Sequence, residues 1–213
     1  MSLFPINSYE KKDDHNWYTS SAISAVSASM ISKPFSVEMT SSMTIAPSVG
    51  AGKMLGASSI AISSNTQQPM IARYSENSTE QSPVVTVSLG DYGSFDISVK
   101  DVDPKKANQI EMFALCSYID DKNLTCPGSN GSYNRLKSYI QTAIDMDELP
   151  NINSHLNAQK KINWTKGLDI AMKTDVTNEY TYMERSEQVK LRGFFEKQHK
   201  EIEIRRILAM ANG

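Results

Sequence analysis

Little in this chain points to covalent or metal scaffolding. Two cysteines occur in 213 residues, Cys116 in an apolar helical pattern and Cys126 beside Pro127 and Gly128. That is too few for a disulfide framework, and reduced thiols in a cytoplasmic setting are the simplest reading, with a pairing of the two left open. No window of about 18 apolar residues exists, which excludes a spanning helix. The start, MSLFPINSYEKKDDHNWY, has no basic stretch leading into an apolar one and does not read as a secretory signal, although export without a cleaved signal stays open. There is no basic excess either: 22 Lys and Arg stand against 24 Asp and Glu, a net charge of -2, which counts against nucleic acid as principal partner. The three histidines, His15, His155 and His199, are far apart, no pair of them has ligand spacing, and no CxxC accompanies them. No structural zinc site and no cofactor is therefore expected.

Order along the chain is uneven. From residue 17 to about 70, Ser, Thr, Ala and Met dominate, and the only charged residues are Lys33, Glu38 and Lys53. Neither the helical nor the strand period holds there, and the apolar side chains are small. Their burial would hardly offset an ordering cost of about 1 to 2 kcal/mol per residue, so residues 1–82 read as a mostly disordered arm and linker.

A folded domain is expected over 83–174. In VVTVSL, Val85, Val87 and Leu89 alternate with polar residues; in SFDISVK, Phe95, Ile97 and Val99 do the same. Two strands joined through GDYG make a hairpin, with Gly90 and Gly93 able to take positive φ. Asp103 and Pro104 form a helix-start signal, and the helix running through KKANQIEMFALCSYIDD is apolar over a wide arc, which places it inside the domain. Its final aspartates, Asp120 and Asp121, oppose the helix dipole. A glycine-bearing loop ends in Ser132, an expected N-cap, and a second helix follows with Leu136, Tyr139, Ile140, Ala143 and Ile144 at helical spacing. A third is expected from Ser154 through Trp164 to Met172, weakened by Gly167. Residues 175–213 read as a long, charged, partly exposed C-terminal helix. The fold class is thus α+β: a disordered N-terminal arm, one β-hairpin packed on two or three helices, and a long terminal helix.

Sharp motifs fail. APSVGAGKM, residues 46–54, is like a phosphate-binding loop but has Pro47 and Met54 where Gly and Ser or Thr are required, and it lacks a flanking strand and helix. Acidic pairs such as Asp101 with Asp103, or Asp145 with Asp147 and Glu148, lack the pattern of a calcium loop and read as caps and solvated ends. Cys116 is the one thiol in a patterned element. As a nucleophile it would need His155 or His199 brought to it by the fold, and a cysteine on an apolar helical face is usually core. No catalytic, cofactor-binding or metal-binding residue is assigned.

The runs DISVKDVDPKKANQIEMFALCSYIDD, GSNGSYNRLKSYIQTA and INWTKGLDIAM resemble a group of Firmicutes proteins, from clostridia and their relatives, that share a VDPxxAxQxEMFALCSY helix. The resemblance covers about 84–172. It implies an intracellular bacterial protein and carries over no site, because no activity is assigned to that group. The expected function is a non-enzymatic interaction or structural module whose partner is protein, either self or another chain. The alternatives are a protein exported by flagellar-type secretion, which the Ser-rich start resembles, and a small enzyme using Cys116.

Overall fold

A computed structural model describes residues 50–125, 131–154, 157, 159–173 and 177–212. Most of the expected arm, residues 1–49, lies outside them, as do Cys126, His15 and His155. The α+β class and the long C-terminal helix are as expected, but the sheet is larger than one hairpin.

Four strands form an antiparallel meander in sequence order: β1 (Met54–Ser63), β2 (Thr66–Tyr74), β3 (Val84–Ser88) and β4 (Ser94–Ser98). The β3–β4 hairpin has the expected register, with Val85 opposite Ile97 and Val87 opposite Phe95. The correction concerns β1 and β2, which come from the stretch assigned to arm and linker. Met70, Ala72 and Tyr74 point into the core while Arg73 is exposed, a period-2 pattern completed only when β3 pairs with β2 from Ile71 to Tyr74. Both strands are held at the helical layer by one carboxylate. Asp121 accepts from the Tyr74 hydroxyl at 2.7 Å and from Lys53 Nζ at 2.5 Å.

Helix α1 (Gln109–Asp121) lies between the sheet and the remaining helices, and nine of its thirteen residues are buried. It begins later than Asp103 and Pro104 suggest. Its cap is Asn108, in a capping box with Glu111. Asp103 instead turns the chain locally, its side chain and carbonyl accepting from the N–H groups of Lys105 and Lys106. The turn is then fixed from outside: Ile162 bridges to Ala107, Trp164 donates its backbone N–H to Pro104, and its indole donates to the Ala107 carbonyl at 2.8 Å. A turn at 104–106, closed by the single bridge of Ala107 to Ile162, therefore wins over local helix propensity.

Helix α2 (Ser132–Asp145) starts at Gly131, which adopts φ 87°, so Ser132 is inside the helix and not its cap. The third helix is much shorter than expected: α3 spans Thr165–Ala171. Gly167 faces α2 there, and a Cβ on it would lie 2.7 Å from Ile140 Cδ1 and 3.1 Å from the Ile140 nitrogen. The glycine that weakens the helix locally is what lets α2 and α3 touch. Helix α4 (Glu179–Ala211) runs 33 residues from an Asn178–Thr181 capping box. Leu191, Phe195 and Ile202 seat its inner face. Phe113, Tyr133 and Trp164 pack in a row within the core, the first pair edge-to-face and the second tilted, with centroid separations of 5.2 and 6.0 Å.

Candidate functional site

Cys116 sits in solid core. It has no exposed surface, and burial, helped by the charge of Asp120, pushes its thiol well above the ordinary range. A thiol held neutral and out of reach of solvent is the reverse of a reactive one. Two clefts open to the surface. One of about 430 Å³ opens between α2, α3 and α4, where the Tyr139 hydroxyl donates to Glu184 at 2.7 Å. Burial first, then this carboxylate, pushes the Tyr139 phenol up to about 12. The other, about 300 Å³, separates β1 from α1 and α2 and is lined by Gly56, Ser117, Asp120 and Asn134. Among the described residues, neither cleft is lined by histidine or cysteine.

The chemically richest place is the root of α4, where it crosses the 99–106 segment. Gln198 donates to the Val99 carbonyl at 2.9 Å, Arg205 donates to the Lys100 carbonyl, and Lys105 pairs with Glu196 at 3.0 Å. At the centre His199 Nδ1 meets Asp103 Oδ1 at 2.9 Å, and Asp103 is only 6% exposed. Glu203 stands one turn beyond His199, and ligand atoms of Asp103, His199 and Glu203 all lie within 4.8 Å of one another. Arg206 pairs with Glu203 at 2.5 Å and faces Asp103 Oδ2 at 3.8 Å, too long for a hydrogen bond. His199 is the one histidine among the described residues, and the fold brings it to carboxylates. The helical half, His and Glu at i and i+4, was legible as a spacing; Asp103 is distant in sequence and was not.

The second feature is the outer face of α4. Helical spacing puts Tyr182, Ser186, Val189, Gly193, Lys200, Ile204, Ile207 and Ala211 on one strip, opposite the inward Leu191, Phe195 and Ile202. Tyr182, Val189, Ile204 and Ile207 are each more than half exposed, and so is Leu208 beside the strip. Gly193 opens onto free space. From residue 204 to 212 every residue is exposed, and this end of the helix carries Ile204, Ile207, Leu208 and Met210.

No helix among the described residues is long and apolar enough to cross a membrane. Comparison with known proteins matched no family model, no curated protein and no solved structure.

Proposed function

We propose that this protein is a non-enzymatic interaction module that binds a second copy of itself through the outer face of α4, the two helices running antiparallel. One observation carries the reading: a helix already seated by one apolar face bears a second apolar strip on the opposite face. A helix that only covered its own domain would be polar there.

The strip matches its own reverse. About a twofold axis between Glu196 and Lys197, Val189 falls level with Ile204 of the other copy, Tyr182 with Ala211, Ser186 with Ile207 and Gly193 with Lys200. Each layer but the first sets a small residue against a long one, and Val189 with Ile204 is an aliphatic pair. Lys190 and Glu201 share a flank and approach across the seam. Thirty residues at 1.5 Å rise give a seam of about 45 Å. Lys200 and Ser186 dilute it, so association on the order of micromolar is expected. The resemblance to Firmicutes proteins, and with it a bacterial, cytoplasmic setting, belongs to the same proposal.

Sedimentation equilibrium of the full chain should show a concentration-dependent dimer that Ile204→Glu with Ile207→Glu abolishes without loss of helicity. In a Cys126→Ser background, mixing Val189→Cys with Ile204→Cys chains should give an interchain disulfide that neither variant gives alone. A monomer at several hundred micromolar would end the proposal, and crosslinking of Val189→Cys to itself would replace the antiparallel register with a parallel one.

A further inference from the structure

We propose that Asp103, His199 and Glu203 form a binding site for one divalent transition-metal ion, of the Zn²⁺ or Mn²⁺ type, at the root of α4. His199 and Glu203 are four residues apart on one helix and so present their side chains on the same face, one above the other. Asp103 approaches from the turn before α1, so the three donors come from two elements, one of them rigid. Donors bound to a single ion at about 2.0 to 2.2 Å stand roughly 3.4 Å apart. The present spread of up to 4.8 Å closes with small side-chain rotations, which Glu203, about half exposed at its side chain, can make.

Charge and burial supply an independent reason. Asp103 is a nearly buried carboxylate, and both of its closest contacts, Lys105 N–H at 3.0 Å and His199 at 2.9 Å, go to Oδ1. Oδ2 is left with the Arg206 guanidinium at 3.8 Å. Among the described residues no group comes within hydrogen-bond reach of that oxygen, which leaves it open to a further ligand. Arg206 also serves Glu203, so one positive charge faces two negative ones. A dication balances both. The Arg206 side chain is about half exposed and free to swing into solvent when the ion takes its place.

Ligand chemistry selects the ion. One imidazole with two carboxylates suits first-row transition ions, whereas Mg²⁺ and Ca²⁺ take all-oxygen sets. Binding through Nδ1 would replace the His199–Asp103 hydrogen bond by a shared metal, with the hydrogen of the neutral imidazole carried on Nε2. It would also fasten α4 to the 99–106 turn, stabilising the folded chain in proportion to occupancy.

The test uses the full chain freed of metal with EDTA and titrated calorimetrically with ZnCl₂, MnCl₂ and MgCl₂, with thermal melts alongside. One Zn²⁺ per chain is expected, with a raised Tm and no response to Mg²⁺. His199→Ala and Glu203→Gln should each weaken binding about tenfold or more. Arg206→Ala, at a half-exposed position that does not threaten folding, should tighten it by removing the competing cation. The control His15→Ala with His155→Ala should bind as the parent does. Three results would overturn the site: no Zn²⁺ bound by either the parent or Arg206→Ala, binding indifferent to His199→Ala and Glu203→Gln, or binding lost in the control.

Discussion

Asp120, the penultimate residue of α1, caps the first turn of α2 through Ser132: its carboxylate accepts from the Ser132 hydroxyl, from the Ser132 N–H at 3.0 Å and from the Gly131 N–H at 2.9 Å. The negative charge that is misplaced at the end of its own helix is well placed at the start of the next.

Replacing that cap tests the relationship. Asp120→Ala leaves the first N–H groups of α2 without their acceptor, and a loss of about 1 to 2 kcal/mol is expected from denaturant unfolding. Asp120→Asn keeps an acceptor oxygen and should lose less.

The adjacent aspartates should give opposite pH signatures. Burial, the largest influence, raises the Asp120 carboxyl despite its hydrogen bonds from Ser132 and Gly131. A raised acid contributes stability that is complete below its unfolded value of about 3.9 and is lost as pH rises through the folded value. For Asp121, burial is again the largest single influence and pulls upward. The bonds from Lys53 and Tyr74, with the charges of Lys53 and Lys122, together hold it below the usual range. Its contribution is present above about 3.9 and lost as pH falls through the folded value. In unfolding curves from pH 2 to 6, Asp121→Asn should flatten the acid loss, and Asp120→Asn should remove the opposing decline.

Gly167→Ala sets helix propensity against packing. Alanine is favoured over glycine by about 1 kcal/mol within a helix. Here its methyl would enter Ile140, and overpacking of this kind costs about 1 to 3 kcal/mol. A net loss of stability is expected, and Ile140→Val in the same chain, by removing Cδ1, should restore part of it. Additive losses in the double variant would show that the two sites do not touch.

Cys116 should be silent to reagents. In a Cys126→Ser chain, a thiol-reactive dye should not label the folded protein and should label it stoichiometrically in denaturant. Labelling at native rates above those of global opening would revive the enzyme reading.

Most of the helices and one hairpin were legible because their patterns are locally complete. Val85 and Val87 alternate whatever lies beside them, and the apolar arc of α1 is wide enough to announce burial on several sides. β1 was not legible. Ala57, Ser58, Ser59 and Ala61 give a strand little contrast, and Pro69 argues locally against β2, yet that proline sits beyond the stretch of β2 that pairs with β3. Trp164 was read inside the third helix, whereas it stands just before α3 as its N-cap residue, with its indole on the Ala107 carbonyl. At the root of α4, His199 and Glu203 have a readable spacing. Asp103 joins them by tertiary docking, which no local pattern encodes.

The distance along the chain between partners also orders assembly in time. Each strand of the meander pairs with its neighbour in sequence, closing short loops, whereas the bonds that seat the root of α4 join residues 91 to 105 positions apart. The entropy of closing a loop grows with its length, and contacts between distant residues slow folding. By that measure the strand pairs are expected to form before the root of α4 docks on the 99–106 segment. Until it does, Phe195 and Ile202 are open to solvent along with the outer strip, and each newly made chain passes through an interval in which both faces of this helix are available to a neighbour.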